Sequence, residues 1–247
     1  MRLSRIVAAL SAVLLLLGPA LAREVKMTAD SMQYDSASGY FTASDNVTIT
    51  REGLTATARK AEGNMNEGRI DLIGDVRILG EWDGEKVDVR AQVLVAYLQE
   101  PTGFTLKGTV TGAWGGRLVE AEELSTRGDA FAVAKLARYS DSVGGYSFSC
   151  SSAEGKLKEG EITEFTGKGA FRLVSSPGRG AVTEIRGDRA VYSKARGTIV
   201  VNGKVTAVQD GRSLASDSLV YFTKQNRIEA TGKPQLVFKI GEGPGKK

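Results

Sequence analysis

A degenerate pattern returns along this chain every 29 to 34 residues, which restricts it to folds built by stacking like units. In one copy Asp188 is followed by Tyr192 and then by Gly203-Lys204-Val205. In the next, Asp217 is followed by Tyr221 and then by Gly232-Lys233. Near the start, Ala29-Asp30 leads to Tyr34 and then to Asp45-Asn46-Val47-Thr48-Ile49. In all three the tyrosine lies 4 positions, and the glycine or aspartate 15 positions, after the first acid. Gly74-Asp75-Val76-Arg77-Ile78 and Gly108-Thr109-Val110 occupy the same place, so markers fall at 45, 74 and 108 and again at 169, 203 and 232. Between 108 and 169 no marker is readable. Ala113 to Ser152 is therefore where an inserted loop or a seam between two blocks is expected.

Within each unit, β-branched residues alternate with polar ones over short runs separated by glycine, the pattern of half-buried strands. Lys86 to Val93 is the clearest case: Val87, Val89, Ala91 and Val93 share one face, with Lys86, Asp88, Arg90 and Gln92 opposite. Leu54 to Ala58 and Thr198 to Val201 repeat it. About 30 residues then supply two strands and two turns, too little to cover their own apolar face, so stacking is obligatory. The markers are read as turns, where glycine, Asn or Asp permits positive φ as the chain reverses. Asp30, Asp188 and Asp217 are read as turn formers, and Tyr34, Tyr192 and Tyr221 as packing residues with a polar tip at the sheet edge. The expected fold is all-β, an elongated, twisted double sheet.

Other features limit the function. Arg2 and Arg5, an apolar run from Ile6 to Leu17 and Ala20-Leu21-Ala22 have the order of a cleavable secretory signal, placed at 1–22. At 12 residues that run is short of the roughly 20 a spanning helix needs. Without Arg2 and Arg5, 31 basic residues face 29 acidic ones, which gives no nucleic-acid signal. Histidine is absent, which removes Ser-His-Asp and Cys-His catalysis together with histidine metal ligation. No Walker-type loop is present either. No catalytic residue, metal site or cofactor is assigned, and the chain is read as not an enzyme. Cys150, the single cysteine, is expected to be buried and inert on a face with Tyr146 and Phe148.

The Asp-x3-Tyr signature with its following turn and Val-x-Ile strand, strongest over 28–50 and 185–238, resembles the OstA-like (LptA) family of periplasmic lipopolysaccharide-transport proteins. That resemblance implies a β-jellyroll open along one side, with acyl chains between its sheets and molecules joined end to end by strand addition. The chain is longer than the bridge protein of that family and has blurred central repeats, as a divergent or duplicated member would. Expected partners are therefore lipopolysaccharide, other lipopolysaccharide-transport proteins through the terminal edge strands, and further copies of itself head to tail. The expected location is the periplasm, after signal cleavage.

A lipid carrier needs a continuous apolar lining, because a chain of a dozen carbons costs about 10 kcal/mol in water at about 0.8 per methylene. The inward candidates are Val47 and Ile49; Ile70, Leu72, Val76 and Ile78; Val87, Val89 and Val93; Phe104 and Leu106; and Phe148. Further along they are Phe171 and Leu173; Ile199, Val201 and Val205; Leu219 and Ile228; and Leu236 and Phe238. Each is equally an ordinary core residue of a sheet. Edges near 25–28 and 235–240 are candidates for accepting a neighbour's strand. The expected organisation is a block over 23–140, a second over 141–240 and a tail over 241–247. Two other readings stay open: a packed β-solenoid scaffold or envelope fibre without lipid cargo, and a β-helical lyase or hydrolase using Glu120, Glu122 and Glu123.

Overall fold

The structure, a computed structural model, describes residues 25–237 except 52, 83, 159–160, 177–180, 210 and 226. The side chains of 82 and 161 are also left undescribed. The expected signal segment, the tail and Phe238 lie outside the described residues. Sixteen strands follow one another: β1 (Lys26–Thr28), β2 (Ser31–Tyr34), β3 (Tyr40–Arg51), β4 (Leu54–Asn64), β5 (Arg69–Trp82), β6 (Glu85–Tyr97), β7 (Gly103–Trp114) and β8 (Arg117–Arg127). Then come β9 (Ala130–Asp141), β10 (Tyr146–Lys158), β11 (Glu161–Ser175), β12 (Thr183–Ser193), β13 (Thr198–Gln209), β14 (Arg212–Phe222), β15 (Arg227–Thr231) and β16 (Gln235–Val237). They form one antiparallel sheet in chain order, whose first and last strands never meet.

Every long strand breaks its ladder near its middle, and the β10–β11 ladder shifts a second time between Lys156 and Leu157. At those breaks the odd-numbered strands place residues in the left-handed region: Asp45-Asn46, Gly74-Asp75, Gly108-Thr109, Gly169-Ala170 and Gly203-Lys204, with Gly232-Lys233 just past β15. The markers are therefore not reversals. They are β-bulges at which a strand bends without ending. The reversals lie elsewhere, in the short connections between strands. The marker missing between 108 and 169 is the bulge at Lys135, φ 47°.

Asp188 and Asp217 are likewise not turn formers. Each sits within a strand opposite the bulge glycine of the next one: a methyl on Gly203 would lie 2.4 Å from Asp188 Oδ2, and one on Gly232 2.6 Å from Asp217 Cβ. The spacing of 15 is this register. At the N-terminal copy, Asn46 Nδ2 donates to Asp30 Oδ2 at 2.7 Å.

The bends divide the sheet into two leaves. Leaf I holds the strand halves that join at connections such as Arg51 to Leu54, Trp114 to Arg117 and Asp141 to Tyr146. Leaf II holds the halves that join at Asn64 to Arg69, Tyr97 to Gly103 and Ser193 to Thr198. β1 and β2 pair with the two halves of β3, and β16 and β15 with the two halves of β14, so each end of the sheet is one more bent strand in two pieces. Outward faces carry cross-strand ion pairs, such as Arg77 to Asp88 at 2.9 Å and Arg172 to Glu184 at 2.9 Å. No inserted loop occupies 113–152; its strands are joined by connections of two to four residues, and β9 pairs on both sides across the expected 140/141 boundary.

Candidate functional site

The inward faces of the two leaves meet in one apolar core. The interior is crossed by an aromatic series. On leaf I the Tyr139 ring lies 6.1 Å from Tyr146 and 4.9 Å from Phe148. Phe148 then stacks at 5.3 Å and 7° on Phe165 of leaf II, which lies 5.5 Å from Tyr192. A second bridge joins the leaves near the C-terminal end: Tyr221 Oη lies 3.1 Å from Ser175 Oγ, between strands that are not neighbours in the sheet.

Between the leaves in the central segment is a cavity of about 40 Å³, lined only by core residues of both leaves, among them Trp114, Leu124, Leu136, Phe148 and Phe165. A water molecule's share of liquid volume is about 30 Å³, so this cavity holds a group of methyl size and not a whole acyl chain. A larger cleft of about 950 Å³ lies over leaf II, where Thr105, Ser125, Ala132, Glu154 and Thr166 alternate with buried neighbours, and it is open and mixed in polarity.

The buried polar side chains have a distinct place. Arg51, Arg117, Asp141, Ser175 and Thr183 on leaf I, and Thr126, Ser193, Thr198 and Thr223 on leaf II, lie at or next to strand ends, on the side away from the bends, whereas Ser216 is buried at the bend of β14, where its hydroxyl donates to the Ser218 carbonyl at 2.9 Å. The interior is thus largely apolar from the bends outward and polar along a lip where the two rows of hairpin connections lie. At the centre of the lip Arg117 Nη1 is 3.4 Å from Glu85 Oε2, and Tyr146 Oη donates to Asp141 Oδ2 at 3.4 Å. Burial pushes the phenol pKa of Tyr139 and of Tyr146 well above the ordinary tyrosine range, and that of Tyr192 up to about 12. The Cys150 thiol, 6% exposed, is pushed up to about 11 by the same cause.

Family models of lipopolysaccharide transport match both ends of the chain. "Lipopolysaccharide-assembly, LptC-related" covers residues 13–81, and "LptA/(LptD N-terminal domain) LPS transport protein" covers 184–247. Both ends of the chain are thus similar to OstA-like lipopolysaccharide-transport proteins. Among solved structures, the crystal structure of LptH from Pseudomonas aeruginosa, titled the LptA homologous periplasmic component of a lipopolysaccharide transport device, is 11% identical, covers 88% of this chain and 96% of its own, and has a TM-score of 0.31. No curated protein sequence matches the chain.

Val47, Ile49, Ile70, Leu72, Val76, Ile78, Val87, Val89, Phe104, Leu106, Phe171, Leu173, Ile199, Val201, Val205 and Leu219 are all buried in the core. Phe148 and Ile228 are half-buried and pack against it. Val93 is a correction: Val87, Val89 and Ala91 point inward, the irregularity between Ala91 and Val93 then shifts the alternation by one, and Leu94 and Ala96 take the inward face while Val93 faces the other way, half-buried. Leu236 is a second correction, 60% exposed on the terminal strand pair. Tyr34 is a third, 61% exposed where Tyr192 and Tyr221 are buried. Glu122 and Glu123 pair with Lys135 and Lys107 at the surface, and Glu120 sits opposite Thr111 and Arg138. Sequence reasoning missed the lip. Its signal was available in the alternation, since Arg117 shares a face with Val119 and Ala121, and Asp141 with Tyr139.

Proposed function

We propose that the chain is a periplasmic, non-enzymatic lipopolysaccharide-binding transport protein that shields acyl chains between its leaves and bridges toward the outer membrane. The observation that supports this most directly is the order of polarity in the interior: a largely apolar core behind a lip of buried polar side chains, the profile of an amphiphile with its tails inward. The match of both ends of the chain to lipopolysaccharide-transport models supports the choice of lipid.

In this reading the leaves part to admit a chain, since the present cavity is methyl-sized. The energetics allow it. Parting the leaves breaks the Phe148 to Phe165 stack at the centre, worth about 0.5–1.5 kcal/mol, and the Tyr221 to Ser175 hydrogen bond near the C-terminal end, worth about 1 kcal/mol. A dozen buried methylenes contribute about 10 kcal/mol, and they cover the apolar surface that the parting exposes. The unpaired outer sides of β1/β2 and β15/β16 are suited to strand addition by a transport partner or a second copy. Small-angle scattering that lengthens in steps of one molecule with concentration is the expected sign of the second.

A photoreactive side chain in place of Ile78 or Val89, both buried inside, is expected to crosslink to lipopolysaccharide, and one in place of the exposed Arg90 to give little product. Equal yields at all three positions would overturn the reading. The tight contact between the leaves would then favour the scaffold, a sealed double sheet without cargo.

A further inference from the structure

The central lip holds a group of side chains that the core does not explain. Trp114, Arg117, Asp141 and Tyr146 are successive cross-strand partners on β7, β8, β9 and β10, with Val119 opposite Tyr139 one step further in. Trp114, Arg117, Tyr139, Asp141 and Tyr146 are each less than one-tenth exposed. Three of their donors have no hydrogen-bond partner: the indole N–H of Trp114, the Nε–H of Arg117 and the O–H of Tyr139. Their neighbours meet them only in part, since the Tyr139 oxygen interacts with Arg117 and the Tyr146 hydroxyl without full hydrogen-bond geometry. Arg117 Nε lies 3.5 Å from Asp141 Oδ2 without hydrogen-bond geometry, and the Tyr146 hydroxyl is directed to that same carboxylate. Buried donors are almost always satisfied in folded proteins, so three in one place indicate an acceptor supplied from outside.

The surroundings narrow the acceptor's chemistry. The rings of Trp114 and Tyr139 form part of the wall of the apolar cavity, so the space next to these donors suits hydrocarbon. Arg117 already faces the carboxylates of Asp141 and Glu85, so a phosphate or a free carboxylate would meet net negative charge. A neutral oxygen with a hydrocarbon tail meets neither obstacle. We propose that this row is a subsite for the carbonyl oxygen of a fatty-acyl ester or amide, with the first methylenes of the chain in the cavity behind it. This rests on the acyl-shielding reading above and adds to it a fixed station at which the head of a chain is registered.

Trp82 and Trp114 are the two tryptophans, so the ¹⁵N-labelled protein gives two indole N–H signals, which Trp82→Phe assigns. The probes are sucrose monododecanoate, which carries an ester carbonyl, dodecyl maltoside, which has the same chain length without one, and sodium dodecanoate. The ester is expected to move the Trp114 indole proton downfield and to bind about 5-fold or more tightly than the maltoside, the increment of one hydrogen bond. Tyr139→Phe, which removes one of the three donors and leaves the ring in place, is expected to keep the fold by thermal melt and to shrink that preference. If ester and maltoside bind alike with Trp114 unmoved, the subsite is refuted while acyl shielding stands. If dodecanoate moves Trp114 as far as the ester does, the neutral-acyl assignment is refuted. If no probe binds, the subsite and the proposed function fall together.

Discussion

Gly203→Ala tests whether the bends are what the repeat encodes. Gly203 has φ 82°, and an alanine there would place its Cβ 2.4 Å from Asp188 Oδ2, 2.8 Å from Asp188 Cβ and 2.9 Å from Asp188 Cγ. Left-handed backbone costs a residue with a side chain about 1–2 kcal/mol. Relieving contacts well under the ordinary 3.5–4.0 Å adds about 1–3 kcal/mol. A loss of about 3 kcal/mol is expected, a large share of a stability of about 5–15 kcal/mol, and it corresponds to a melting point lower by about 6–12 °C. The partner decides the mechanism. Asp188→Ala removes the Oδ2 and Cγ contacts, which a rotamer change could also relieve, but keeps the Cβ contact and should rescue Gly203→Ala only in part, whereas Asp188→Gly removes all three and should return about 1–3 kcal/mol of the loss. Urea titrations of the four chains followed by circular dichroism measure this. A loss under about 0.5 kcal/mol, or equal rescue by both Asp188 substitutions, would refute the assignment of the marker to a packed bulge.

Three further outcomes follow from the same geometry. Hydrogen bonds from Arg172, and then Arg186, hold the Glu184 pKa down at about 2, so its contribution to stability is complete above the ordinary carboxylate pKa and is lost as pH falls from about 4.5 toward 2. Glu184→Gln should flatten that part of the acid limb in pH-dependent melts, and an unchanged limb would show that the pair does not stabilise the fold. Cys150 should resist a thiol reagent at pH 8 until urea unfolds the chain, and prompt labelling of the native protein would contradict its burial. Tyr221→Phe should lower stability by about 1 kcal/mol in urea, with no change if the contact to Ser175 does not hold the leaves together.

The alternation of Val87 and Val89, or of Ile199 and Val201, made the strands and most of the lining legible, because a period of two is imposed by the backbone itself. The 15-residue interval also carried real information, namely the register between Asp188 and Gly203. Its meaning was misread because glycine at positive φ serves a bulge as well as a turn, and only pairing tells the two apart. Val93 failed for the same reason, since one extra residue between Ala91 and Val93 reverses the face of all that follows. Leu236 failed through position, on a terminal strand pair with a neighbour on one side only. The lip was hidden because Arg117 and Asp141 read as solvated charges, although their parity with Val119 and Tyr139 places them inside.

The bent profile repeated in β1/β2 and β15/β16 also acts as a lock on who can attach. A straight segment laid against either margin could follow one limb and would then part from the other at Asp30 or at Gly232-Lys233. Full engagement requires an incoming strand kinked at the matching position, as each interior strand of this molecule is. Unkinked chains, the usual agents of uncontrolled fibre growth, are turned away by shape before any side chain is consulted.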